Sequence, residues 1–348
     1  MLPLSLLLGG SHPISSTRFL SLFYLWQFLR TFGRFALHSA RNSENKTPGE
    51  SIPDFKGVWV GIIDILVTVG YITLPSRRGR AVQHHSMKPE SFADRVAVVT
   101  GSSRGIGRSI ARKFAVAGAD VVVNYRKAGG ASQSQGEELC RDIVEMGRRA
   151  FLVQADISTK SAAKGLIKEA VERCGRLDFL ILNAARAPFK PIERLFEREL
   201  RQLVDTNYMG NIFCIQAAVP FLEKTQGHII FISSLGSRFY NPAYPLGSMK
   251  AAMETVVRDC AESLRDKGIS VNGVCGGLVK TDSFKVLRQY WENIDHLPEK
   301  LLVEVDEIAD VVLFLCSPAA RGIRGQTFVV DRGLGNRIYW SLPKETST

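Results

Sequence analysis

Residues 96–107 read VAVVTGSSRGIG, and most of the architecture can be worked out from them. The apolar run Val96–Thr100 is short and uninterrupted, as in a strand covered on both faces. Three glycines follow, and from Gly105 to Gly118 apolar residues recur at helical spacing before a glycine stop. A strand, a glycine turn and a helix in that order bring backbone N–H groups and the positive end of a helix together, which suits a pyrophosphate. The spacing is GxxxGxG rather than GxGxxG, and three glycines alone could equally form an ordinary loop. Their place between the first strand and the first helix favours the phosphate reading. Its residues are Gly101, Ser103, Arg104, Gly105, Ile106 and Gly107.

Further strands are expected at Val121–Asn124, Phe151–Gln154, Phe179–Leu182, Ile229–Ser233, Ser270–Val274 and Thr327–Val330. Between them, Glu137–Gly147, Ala162–Cys174, Leu195–Leu222, Lys250–Lys267 and Asp306–Cys316 have helical spacing. Strict alternation of this kind predicts an α/β fold: a Rossmann-type, doubly wound parallel sheet with helices on both faces. Everything needed for it lies in residues 87–348, a suitable length for one domain.

Residues 1–86 are an atypical N-terminal extension. Up to Ser43 there are arginines at 18, 30, 34 and 41, many serines and no acid, the composition of a mitochondrial transit peptide. Val58–Leu74 is apolar, but it contains Asp64 and is at the lower limit for a membrane span. A leader, a membrane anchor and a stretch that belongs to no domain all stay open, with the last favoured. The protein is then expected to be cytoplasmic, or mitochondrial if residues 1–43 are a leader.

The chain has 348 residues, 45% hydrophobic and 23% charged, which rules out fibrous and wholly disordered classes. Its six cysteines are scattered, as reduced thiols would be, and its six histidines show no metal-ligand spacing. The formal net charge of +11 would suit an anionic partner, but no basic recognition helix or aromatic platform points to nucleic acid.

Asn124-Tyr125-Arg126-Lys127 closes the second strand with cations where an NAD-preferring site carries an acid. Arg126 and Arg104 together favour a 2′-phosphate, and so NADP(H); the alternative is a solvated charged loop. Asp156 and Ile157 after the third strand, and Asn183 and Ala184 after the fourth, lie at the carboxyl edge where such sheets bind ligands. Asp156 would take the adenine amino group, and Asn183 could be a turn residue only.

In chain order, TGSSRGIG (100–107), GRLDFLILNAA (175–185), DTNYMGN (205–211), HIIFISSLGS (228–237), SMKAAM (248–253), GISVNGV (268–274) and GQTFVVDRG (325–333) resemble the short-chain dehydrogenase/reductase family. The likeness runs from about Arg95 to Gly335. It implies a dinucleotide at the carboxyl edge, touched also by Lys250, Gly277, Val279 and Thr281, and tetramers built through the two long central helices. It puts Ser234 and Asn207 at the family's serine and asparagine positions.

The family's usual tyrosine lies four residues before its lysine, but Leu246 stands there in this chain. ISSLGS, the pair Tyr240 and Tyr244, and CGGLVKTDSFK (275–285) most resemble the third type of enoyl-acyl-carrier-protein reductase. Its Tyr-x6-Lys spacing is one residue longer than Tyr244-x5-Lys250. At about 100° per residue, an offset of six leaves two side chains about 120° apart on a helix. Tyr244 can therefore meet Lys250 only from ahead of the helix, an arrangement Pro245 supports.

On this reading NADPH reduces a 2,3-unsaturated acyl thioester, free or on acyl carrier protein. Tyr244 is the donor to the oxyanion, Lys250 holds the ribose, and Tyr240 orients the thioester or is a surface aromatic. Ser234 is either secondary or a simple strand-end serine, and Asn207 shapes the helix and a water chain. Phe284, Leu287, Tyr290 and Trp291, in the expected substrate lid Thr281–Leu301, line an acyl channel or cover the core. The rivals are an NADPH-dependent 3-oxoacyl or other carbonyl reductase and a catalytically weakened dinucleotide-binding scaffold.

Overall fold

The computed structural model describes residues 92–241, 244–290 and 297–337, so every expectation for residues 1–86, and Trp291, lies outside the described residues. Seven strands form one parallel sheet in the order β3-β2-β1-β4-β5-β6-β7. They are β1 (Val96–Val99), β2 (Asp120–Tyr125), β3 (Ala150–Gln154), β4 (Phe179–Leu182), β5 (His228–Ser234), β6 (Ser270–Gly276) and β7 (Thr327–Val330). The order in which strands are added to the sheet reverses between β1 and β4. That opens a crevice at their carboxyl ends, where ligands of such sheets bind.

Alternate residues of each strand enter two separate cores. Ala97, Val99, Val121, Val123, Phe179 and Ile181 pack with α1 (Gly105–Val116), α2 (Ala131–Glu145) and α8 (Val305–Leu315). Val98, Val122, Leu180, Leu182, Ile229 and Phe231 pack with α3 (Lys160–Cys174), α5 (Gly210–Thr225) and α6 (Leu246–Ser263). This is why the strands are apolar at nearly every position. Phe92, Phe114 and Phe179 meet in the first core with ring centroids 4.8–5.5 Å apart.

Three helices depart from their sequence expectations, each for a visible reason. Helix α2 starts at Ala131, ahead of Glu137, because its polar first turns lie at the surface where no apolar period marks them. The expected helix Leu195–Leu222 is two helices, α4 (Glu197–Val204) and α5, joined by a π turn at Asp205–Met209. Asn207 sits in that turn. Helix α6 starts at Leu246, four residues before the expected Lys250, so Lys250 falls in its second turn.

His228 lies at the amino end of β5, away from the crevice, and its Nδ1 is buried without a hydrogen-bond partner. Burial, with Arg95 and Arg324 nearby, pushes the imidazole down to about 4. The unfolded chain, with an ordinary histidine, therefore binds more protons between pH 6.5 and 4, and stability falls as pH falls through that window. Chemical unfolding at pH 7 and pH 4 should show the wild type losing about 3 kcal/mol more than His228→Gln. Equal losses in the two proteins would place the acid sensitivity elsewhere.

Candidate active site

The first half of the crevice is built on Thr100, which is fully buried just past β1. Its hydroxyl donates to the carbonyl of Ile181 (3.2 Å) and accepts from the backbone N–H groups of Asn183 (2.9 Å) and Ala184 (3.0 Å). The Asn183 amide answers by donating to the carbonyls of Thr100 (2.9 Å) and Gly101 (3.0 Å). On the other side, the Gly101 N–H donates to Oδ1 of Asn124 (3.0 Å), whose amide nitrogen donates to Val153 and Ala155 of the β3 end (both 3.2 Å). Asn183 is therefore more than a turn residue.

Gly101 has φ +61°, and a Cβ there would lie 3.0 Å from Cα of Ala184. Gly105 has φ +57°, and a Cβ there would meet only the Thr281 methyl, at 3.7 Å. Its backbone thus faces open space at the start of α1. The Arg104 N-cap side chain makes no cap hydrogen bond, and no acid sits in the first turn. The first-turn N–H groups of α1 thus have no side-chain acceptor, as a bound phosphate group needs. Ser103 is buried beside them, Ile106 packs toward the first core, and Gly107 is close against Gly101 and Asn183. The residues present fit a dinucleotide.

Arg126 is exposed just beyond β2, and Arg104 is exposed with its guanidinium 3.8 Å from Asp282. Asp156 accepts from the N–H of Ser158 (3.1 Å), and Ile157 is buried. On the lid side, Gly277 donates to Val330 (2.9 Å), and Lys280 and Val303 are hydrogen-bonded around the bridge between Val279 and Val303. The two ends of the lid segment are therefore clamped together. Thr281 caps α7 (Asp282–Leu287), accepting from Phe284 N–H (3.3 Å). Leu287 falls in α7, and Phe284 packs against a small core with Leu235, Cys275 and Leu278. Tyr290 is 49% exposed.

The second half of the crevice follows β5. Ser234 ends the strand, and its hydroxyl accepts from the Gly236 N–H (3.3 Å) in a short turn. Tyr244 lies two residues ahead of α6, its ring 6.1 Å from that of Phe189 and in contact with Gly236. Its hydroxyl is hydrogen-bonded to Ser234. Burial pushes the phenol up to about 12, against the pull of that hydrogen bond. The position four before the lysine is filled by Leu246, only 2% exposed and packed inward.

Lys250 is buried, donates to the Ile232 carbonyl (2.6 Å), and lies 4.7 Å from the centre of the Phe231 ring. Burial pushes its amine down to about 8, with the Cys275 thiol and the Glu254 carboxylate as its neighbours. Asn207 is buried and fully engaged: it accepts from the N–H of Arg186 (2.9 Å) and donates to the carbonyls of Arg186 and Leu203 (both 2.8 Å). It fixes the strand of loop after β4 and shapes the π turn. Tyr240 is 89% exposed and takes no part in the contact between Tyr244 and Ser234.

Sequence reasoning missed three contributors. Asn124 was read only as part of a charged strand end, yet it joins the glycine turn to β3. Phe189 carried no signal in an irregular loop. Glu254 did carry one: it lies one turn after Lys250 on the face that helical periodicity buries.

A family profile described as enoyl-(acyl carrier protein) reductase matches residues 101–335. A 1-cyclohexenylcarbonyl-CoA reductase of Streptomyces collinus is 38% identical over 72% of this chain and 91% of its own length. A 3-oxoacyl-(acyl-carrier-protein) reductase of Staphylococcus aureus is 35% identical over 68% of this chain and 97% of its own. Among solved structures, a short-chain dehydrogenase of Burkholderia cenocepacia in complex with NADP superimposes with a TM-score of 0.63 at 28% identity. That match covers 70% of this chain and 98% of the other.

Proposed function

The chain belongs to the short-chain dehydrogenase/reductase family of NAD(P)-dependent oxidoreductases, and on that footing we propose that it reduces the 2,3-double bond of an enoyl thioester with NADPH. The observation that carries this is the catalytic turn. Leu246 is buried where the family's ordinary carbonyl reductases carry tyrosine, and the phenol comes from Tyr244, ahead of the helix. The profile description supports the same chemistry, as does a relative whose named substrate is an unsaturated acyl thioester.

The cofactor would lie along the glycine turn, with Arg104 and Arg126 toward a 2′-phosphate, Asp156 toward the adenine, and Lys250 toward the nicotinamide ribose. NADPH, when bound, supplies the hydride. Reduction at the β-carbon of the thioester builds negative charge on its carbonyl oxygen, which needs a hydrogen-bond donor. Tyr244 is that donor. A phenol held at about 12 is fully protonated at neutral pH, so it donates and does not act as a base. Lys250 stays cationic below about pH 8, and in the proposed reaction its charge favours the same oxyanion. Asn207 holds the loop after β4, and tetramers would form through α5 and α6, with either acyl carrier protein or coenzyme A bearing the acyl chain.

One observation favours a second reading. The hydroxyls of Tyr244 and Ser234 converge, and two converging donors could also receive the oxygen of a 3-oxoacyl ketone. Incubation of the full chain with NADPH and either crotonyl- or acetoacetyl-coenzyme A separates the readings by cofactor oxidation. Turnover of the crotonyl thioester is expected; turnover of the ketone alone would reverse the assignment, and turnover of neither would favour the scaffold.

Tyr244→Phe should fold, keep its NADPH affinity and lose about a hundred- to thousandfold in kcat, equivalent to roughly 2.7–4 kcal/mol. A variant as active as the wild type would remove the tyrosine from the mechanism. Arg126→Asp should narrow or invert the preference for NADPH over NADH, because a charge-assisted contact is replaced by repulsion. Kd values for both cofactors check this, and an unchanged ratio would leave Arg126 a surface charge.

A further inference from the structure

Behind the Ser234 turn, one carboxylate does more than the proposed reaction requires of it. Glu254 is only 9% exposed, on the inward face of α6 one turn beyond Lys250. Its Oε1 accepts from the hydroxyls of Ser233 (2.5 Å) and Ser237 (2.7 Å). Its Oε2 lies 3.6 Å from the guanidinium of Arg238. Ser233 and Ser237 bracket Ser234 and Gly236, two of the residues beside Tyr244. A buried carboxylate is costly unless it is hydrogen-bonded and near positive charge, and this one has both.

We propose that Glu254 is a positioning residue for the reductase site: it ties down the turn that receives Tyr244 and sets a carboxylate one helical turn from Lys250 on the same buried face of α6. This rests on the reading of Tyr244 and Lys250 as the reacting pair, but its physical content does not depend on which substrate is reduced.

Two consequences separate the tie from the charge. The tie needs an acceptor of the right length, so Glu254→Gln retains it in part and Glu254→Ala removes it. The charge needs only the carboxylate, so Glu254→Asp retains it and Glu254→Gln does not. The groups facing Lys250 are Glu254 on its own helix, the Cys275 thiol on β6, and the Phe231 ring and Ile232 carbonyl on β5; Arg238 approaches from the turn, through Glu254. Burial pushes the Cys275 thiol up to about 12, so it is neutral across the working range. Glu254 is then the one anion among these neighbours.

The test titrates the lysine itself. The full chain, labelled with ¹³C at lysine Cε, is followed by NMR from pH 6 to 10, with the Lys250 signal identified by its loss in Lys250→Arg. NADPH Kd is measured across the same range. In Glu254→Gln the Lys250 midpoint should move down by about one pH unit, and the pH at which NADPH affinity falls should move with it. Glu254→Asp should keep the wild-type midpoint. Glu254→Ala should shift the midpoint like Glu254→Gln and also lose turnover at pH 6.5, where Lys250 is still charged. In a Lys250→Arg background, Glu254→Gln should leave the NADPH pH profile unmoved. A Glu254→Gln midpoint equal to the wild type's would overturn the charge role, and full activity of Glu254→Ala at pH 6.5 would overturn the tie. If Glu254→Gln fails to fold, the Glu254→Asp titration decides the charge: a lowered midpoint with the carboxylate still present contradicts it. A chain that turns over neither thioester but shows the shift would defeat the enoyl-reductase reading and leave the role of Glu254 standing.

Discussion

A buried hydroxyl at the end of the first strand holds the crevice in shape. Thr100 binds three backbone groups of β4 and the loop after it, and Asn183 returns two hydrogen bonds from that loop to Thr100 and Gly101. The amide of Asn124 carries the same connection across to β3. Without side chains to do this, the strand ends at the switch point would expose backbone groups that helices and ladders cannot satisfy. With them, the glycine turn is fixed against β2 and the loop after β4. The cradle is rigid because sheet, turn and loop share one set of hydrogen bonds.

The other half of the site works by burial instead of by pairing. Desolvation moves the Tyr244 phenol up to about 12 and the Lys250 amine down only as far as about 8, which leaves both protonated at neutral pH. In the proposed reaction both are donors, one toward the substrate oxygen and one toward the ribose hydroxyls. The Ser234 turn brings the two halves together, since it is the end of β5, the packing surface for Tyr244 and the neighbour of the Glu254 network. Small changes in this turn should therefore affect chemistry more than they affect the cofactor cradle.

Much of this was legible in the sequence because the relevant signals are periodic or local. Apolar strands alternating with helical runs specify the sheet, and VAVVTGSSRGIG specifies the first ligand loop. That Tyr244 must precede the helix followed from an angle of about 100° per residue, and the helix does begin at Leu246. What escaped was set by tertiary contact. The π turn at Asp205–Met209 interrupts an unbroken helical pattern, because Asn207 is drawn to the Arg186 backbone. Helix α2 extends through a polar stretch with no apolar face to announce it. Tyr240 looked like a partner of Tyr244 by proximity in sequence, but it points to solvent.

The brace at Thr100 can be tested with an almost isosteric change. Thr100→Val keeps the shape and removes the oxygen that accepts from Asn183 and Ala184. Calorimetric titration of the folded variant with NADPH reads the consequence directly. Two half-buried N–H groups left without an acceptor, at up to about 1–3 kcal/mol each, should distort the loop and weaken NADPH binding by about tenfold or more. An unchanged NADPH Kd in a folded Thr100→Val protein would contradict the claim that this hydroxyl shapes the cofactor cradle.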